Sequence, residues 1–121
     1  MSLEKEELPR PAWRDFLESV TKEHDTDDVT IEVLSNEFGD QQEAERIPLA
    51  YIEYDDRDDA VIVGVGGRSS QYPVVLRHTV HHPLQIFVHP PAPNVTRAID
   101  IVGEDGDQTV ITLYPRPALP R

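Results

Sequence analysis

The run Ala60-Val61-Ile62-Val63-Gly64-Val65-Gly66 leaves few options for the rest of the chain. Extended, it points Val61, Val63 and Val65 to one side and Ala60, Ile62 and Gly64 to the other, with no polar face. Such a strand has to be covered from both sides. Ile47 to Tyr54 precedes it as a second strand, and Asp55-Asp56-Arg57-Asp58-Asp59 lies between them. The two runs therefore read as a central hairpin whose charged tip stays in water.

Around that hairpin the periodicities change. Trp13, Phe16, Leu17 and Val20 fall at i, i+3, i+4 and i+7, with Pro11 at the helix start, which predicts an amphipathic helix to about Lys22. Val29, Ile31 and Val33 alternate as a strand, and Ser35 to Arg46 reads as a loop with a short helical turn near its end. Pro73 to His82 is ambiguous: its β-branched content favours a strand, but a short helix is the reading preferred, since Leu76 and Val80 stand at i, i+4 and Pro83 follows. Leu84 to His89 alternates again, and Thr96–Val102 with Thr109–Tyr114 predicts a last hairpin burying Ile99, Ile101, Ile111 and Leu113. The expected fold class is α+β: an N-terminal amphipathic helix packed on a mainly antiparallel sheet of five to six strands, with a short second helix or turn near 73–81. One domain is expected, with an N-terminal extension at 1–9, a core at 10–114 and a proline-rich tail at 115–121.

The 121 residues carry 23 acids and 11 bases, a formal net charge of −12, and no cysteine. The charge disfavours phosphate backbones and anionic lipid, so neither a nucleic-acid nor a membrane partner is expected, and a basic protein partner would suit it. Lack of cysteine removes disulfides, thiolate metal sites and cysteine nucleophiles. No apolar run approaches the ~20 residues that span a bilayer, and a cytoplasmic location is expected.

Several segments occur in an order that resembles a known grouping. They are Trp13-Arg14-Asp15-Phe16-Leu17, Ala44-Glu45-Arg46-Ile47-Pro48-Leu49, Ile52-Glu53-Tyr54-Asp55 with Asp58-Asp59, and Leu76-Arg77-His78 before His82-Pro83. Together they resemble a family of small proteins from high-GC Gram-positive bacteria, a domain of unknown function, over Leu8 to Tyr114. The resemblance implies a compact α+β domain and assigns no catalytic residue, cofactor or substrate.

For chemistry, the histidines stand out. On a helix, His78, His81 and His82 would share one side, and with His89 they are the candidate ligands of a zinc or nickel ion. No H-E-x-x-H pattern supports them. The paired carboxylates lie in turns, where solvent leaves them poor general acids or bases, while Glu53 and Asp100 lie within strands and are better placed for burial. No catalytic residue is assigned. The functional expectation is a non-catalytic, acidic protein-interaction or regulatory accessory module. The alternative is a histidine-centred metal-binding protein or small hydrolase. Because one helix leaves part of a two-faced sheet uncovered, a homodimer is expected, packed sheet to sheet or edge to edge.

Overall fold

The computed structural model describes residues 5–24, 27–35, 37, 39–67, 76–90 and 92–115. Its elements run β1 (Glu6–Leu8), a 3₁₀ turn at Arg10–Ala12, α1 (Trp13–His24), β2 (Asp28–Ser35), β3 (Gly39–Asp55), β4 (Ala60–Val65), β5 (Leu76–His81), β6 (Pro83–Val88), β7 (Arg97–Gly103) and β8 (Gln108–Tyr114). The eight strands are ordered β1-β6-β7-β8-β2-β3-β4-β5, and each neighbouring pair is antiparallel.

This order cannot lie flat. Only His82 separates β5 from β6 along the chain, yet six strand spacings separate them across the sheet. At ~4.8 Å per spacing that would be about 29 Å, far beyond the reach of one residue. The sheet therefore curls until its ends meet at His82, whose N–H donates to the Asp59 carbonyl at 2.8 Å and whose carbonyl accepts from the Glu104 N–H at 3.1 Å. Inside the curl, Trp13, Leu17 and Val20 of α1 join Val29, Ile31, Leu49, Ile52, Val61, Val63, Ile86, Ile99, Ile101, Ile111 and Leu113 in one apolar cluster.

β3 holds the two parts of the sheet together. Its first half pairs with β2 from Gly39 to Pro48, and its second half pairs with β4 from Leu49 to Asp55. The strand turns at Arg46, whose φ is +52°, where β3 carries an extra residue opposite Thr30, and the Thr30 hydroxyl accepts the Arg46 N–H at 3.2 Å. The Arg46 guanidinium lies 3.5 Å over the Tyr114 ring, fixing the bend to β8. Each half of β3 is thus left with one edge that no described strand pairs. Along the second half, α1 takes that place. The Thr21 hydroxyl accepts the Ile52 N–H at 3.0 Å and donates to the Ile52 carbonyl at 2.8 Å.

The hairpin, the helical stripe and the final hairpin are as expected: β4 runs through the core with Val61 and Val63 fully buried, and Ile99, Ile101, Ile111 and Leu113 are buried. Four expectations need correction. There are eight strands instead of five to six. The helix is not the first element and packs against β3, because Glu6–Leu8, placed in the extension, pair with Ile86–Val88 as β1. The segment 39–46, read as loop and helical turn, is strand because β2 offers it a partner along its whole length. The short second helix near 73–81 is absent where the structure describes that stretch: 76–81 is β5, paired with β4 from Val65 to Ala60, while 73–75 lie outside the described residues, as do the turn at 68–71 and the tail at 116–121.

The outer face of β4 also finds its cover inside one chain. Tyr51 stands opposite Gly64, and a Cβ at Gly64 would collide with the Tyr51 ring, so glycine lets the aromatic ring lie flat over the strand. Tyr51 thus covers the outer face of β4 at Gly64, while Ile62 on the same face is half-buried.

The Thr21 contact yields a direct test. Thr21→Val keeps the shape and leaves the Ile52 N–H and carbonyl without their partner, so stability should fall by about 1–3 kcal/mol in urea unfolding, while Thr21→Ser should retain most of it. Equal losses for the two variants would mean that packing, and not the paired hydrogen bonds, seats the helix.

Candidate functional site

The histidines of the proposed metal cluster are spread by the strand that replaces the helix. His78 shares a side of β5 with buried Val80 and is itself half-buried, whereas His81 is exposed on the opposite side. His82 sits in the turn with φ +51° and its Nδ1 3.4 Å from Asp59 Oδ2. His89, after β6, places Nε2 2.9 Å from Asp100 Oδ1, a close approach whose angle is outside hydrogen-bond geometry. Only the His81 and His82 rings are neighbours, with centroids 6.5 Å apart. Among the described residues no three His, Cys, Asp or Glu side chains converge on a point where a metal ion could sit.

The densest polar network joins Arg10, Tyr54, Asp59 and His82. The Tyr54 hydroxyl donates to Asp59 Oδ1 at 2.7 Å, and Arg10 Nη1 reaches both Tyr54 Oη at 3.2 Å and Asp59 Oδ1 at 3.3 Å. Arg10 Nη2 donates to the Pro83 carbonyl at 2.9 Å, and its guanidinium lies 4.2 Å over Trp13, whose ring meets Tyr54 edge-on. The Tyr54 hydrogen bond, with smaller help from His82 and Arg10, holds the Asp59 carboxyl below its ordinary range against the opposing effect of burial. The same bond, then burial, pushes the Tyr54 phenol up. Both shifts run away from neutrality, so neither group is poised to exchange a proton there. The network is a clasp. It ties the segment before α1 to the β3–β4 turn and to the point where the sheet closes.

Two further polar groups work as ties. Asp100, 2% exposed, accepts from Gln108 Nε2 at 2.7 Å and Lys5 Nζ at 3.1 Å, which pins the start of the chain to β7. Glu53, the other strand carboxylate singled out by sequence, is exposed. His24 Nδ1 lies 2.9 Å from Asp27 Oδ2, which also accepts the Thr96 hydroxyl at 2.7 Å. In that trio the carboxylate stands between hydroxyl and imidazole, an order unsuited to activating the hydroxyl as a nucleophile.

The region that can receive something lies along the first half of β3. Gly39 to Glu43 are all exposed, and so are Glu45 and Arg46, with only Ala44 buried. Beside it is a cleft of about 160 Å³ lined by Ile31, Glu43, Ala44, Val65, Leu76, Arg77 and His78. His78 also lines a second cleft of about 170 Å³, shared with Val33, Val80, Gly103 and the turn residues Asp105 and Asp107. Burial pushes the His78 imidazole below its ordinary value, and the Glu43 carboxylate draws it partly back up. Leu76, at the rim, is 59% exposed. A larger groove of about 290 Å³ runs between α1 and β3, lined by Arg14, Glu18, Thr21, Tyr51, Ile52, Glu53 and Tyr54. Sequence reading found His78 but missed Glu43 and Leu76, because nothing local marks a polar stretch as an unpaired strand edge.

The chain was compared with known proteins. A family described as a family of unknown function, DUF5335, matches residues 4–121. An uncharacterized protein of Aquifex aeolicus is 27% identical over 113 residues, covering 93% of this chain and 95% of that one. That relative gives no support to the high-GC Gram-positive source expected from the resemblance. No solved structure matches. No described helix is long and apolar enough to cross a membrane.

Two titrations check the electrostatics. A carboxylate held low adds stability above its unfolded pKa, near 3.9, that is lost as pH falls through the folded value. A phenol held high adds stability below its unfolded pKa, about 10, that is lost as pH rises through the folded one. Asp59→Asn should therefore lower the Tyr54 pKa toward its ordinary value, read from tyrosinate absorbance by difference against Tyr54→Phe. An unchanged Tyr54 titration would break the clasp assignment. In the cleft, Glu43→Gln should lower the His78 pKa further, as followed by ring-proton NMR. A rise there would mean that Glu43 does not face His78.

Proposed function

The chain belongs to the DUF5335 family of unknown function, and from that premise we propose that it is a non-catalytic acidic module that binds a basic protein partner. The observation that carries this reading is how the positive charge is used. Lys5 pairs with Asp100, Arg10 with Asp59, Arg14 with Asp56, Lys22 with Glu18, and Arg97 approaches Glu23 at 3.9 Å. Arg46 is spent on Tyr114. With most described bases committed to the chain's own groups, the excess of acids faces solvent uncompensated.

Such a surface attracts a cationic partner from a distance and speeds encounter. It also repels anionic polymers and membranes. The clasp, the Asp100 tie and the His24–Asp27–Thr96 trio all use their polar groups to hold elements together, which supports a binding role over a chemical one.

Affinity capture with the full chain at physiological salt should recover a protein of high isoelectric point. The recombinant pair should then bind with one-to-one stoichiometry in calorimetry, weakening by about tenfold or more as salt is raised from ~0.1 to ~0.5 M. Recovery of a neutral or acidic partner with salt-independent affinity would sink the proposal.

A further inference from the structure

We infer that the open edge of β3 at 40–45 is a docking strand for an extended basic segment of the partner, one that alternates cationic and apolar residues. This inference rests on the proposed function and names the surface and the binding mode.

Among the described residues the geometry of β3 leaves this edge open. β2 pairs one side of the strand from Gly39 to Pro48, and β4 pairs the other side only from Leu49 onward. Among the described residues no strand pairs the second side of 40–45. At ~3.3 Å per residue this is at most about 20 Å of edge, and its N–H and carbonyl pattern is broken where β3 bulges at Glu43 and again at Glu45–Arg46. The equivalent gap on the second half of β3 is closed by Thr21 of α1. Among the described residues no side chain donates to or accepts from the outward side of 40–45.

The occupant follows from the two faces that an added strand would meet. On the outer face Glu45 is exposed, Glu43 is exposed at the mouth of the cleft beside His78, and no base interrupts Asp40 to Glu45. Cationic side chains suit that face, since opposite charges across a strand pair are favourable. On the inner face is Ala44, beside the cleft of about 160 Å³ walled by Ile31, Val65 and Leu76. That space suits an aliphatic side chain. The pattern is the one expected when a peptide adds to a sheet edge: main-chain hydrogen bonds supply affinity, and alternate side chains supply selection.

A second copy of this chain is the wrong occupant on charge. Pairing the edge with itself would set Asp40, Glu43 and Glu45 against the same residues, and like charges directly opposite are destabilising.

The test is an NMR titration of the isotope-labelled full chain with a short peptide alternating lysine and valine. Amides in 40–45 should shift, and alternate ones should exchange more slowly with solvent. The double variant Glu43→Lys, Glu45→Lys, which changes exposed positions and should fold, is expected to bind the peptide at least about tenfold more weakly and to gain binding of a glutamate–valine peptide. Shifts confined to the groove between α1 and β3 would overturn the docking strand while leaving a basic partner in place. No binding of the lysine peptide at low salt would overturn the docking strand, and the capture experiment judges the broader reading separately. Slowed exchange in 40–45 together with doubling of mass, without peptide, would assign the edge to a second copy and overturn the inference.

Discussion

The structure depends on one strand serving two partners that cannot both follow it to its end. β3 runs from Gly39 to Asp55, longer than either neighbour, so each half keeps one edge beyond the reach of the sheet. Unpaired backbone groups cost free energy when buried, and the edge of the second half lies against the core. At Ile52 the chain resolves this with one side chain. The Thr21 hydroxyl both accepts from and donates to Ile52, standing in for the missing strand. Trp13, Leu17 and Val20 then enter the core because the helix has been brought to that edge. The packing and the hydrogen bonds specify the same helix position, which is the consistency expected of a uniquely folded chain.

Closure of the sheet imposes the second requirement. With one residue between β5 and β6, the backbone must bend sharply at His82, which takes a left-handed conformation, as does Asp59 opposite it with φ +49°. Histidine and aspartate enter that region more readily than most residues. Their side chains then lie close enough for Arg10 and Tyr54 to bind the same carboxylate. The clasp is therefore a consequence of closure as well as its fastening. Of the polar groups singled out in the sequence, Asp100 and His82 are used where distant segments meet.

What was legible in the sequence follows a physical divide. β4, the stripe of α1 and the β7–β8 hairpin were readable because burial writes a period of 2 or 3.6 into apolar residues. The second half of β3 was readable for the same reason. The first half was not, since Asp40-Gln41-Gln42-Glu43 carries no apolar period and becomes a strand only through β2. Leu76 and Val80 fit a helix turn as well as they fit a strand, and only the presence of β4 decides between them. That decision scattered the histidines, whose grouping was a property of the assumed helix. The deep burial of Asp100 depends on Lys5, 95 residues away, and on the Gln108 side chain of the next strand. No local pattern encodes such a contact.

The open half of β3 explains why its residues are charged. An exposed edge with apolar side chains invites pairing with any other edge, and charge is one of the ordinary protections. Here the protection is of one sign: acids occupy Asp40, Glu43 and Glu45, with glutamines between. An edge guarded by mixed charges would repel cationic and anionic strands alike, whereas one guarded only by carboxylates discriminates between them. It disfavours a copy of itself and favours a cationic strand, and the same side chains do both. The apolar cleft beside Ala44 adds a contact that charge alone would not supply, since it rewards an aliphatic residue in register with the flanking bases. On the proposed reading the acidity of the chain and the stretch of β3 that no described strand pairs belong to one device, in which charge keeps the edge free until a strand of opposite charge reaches it.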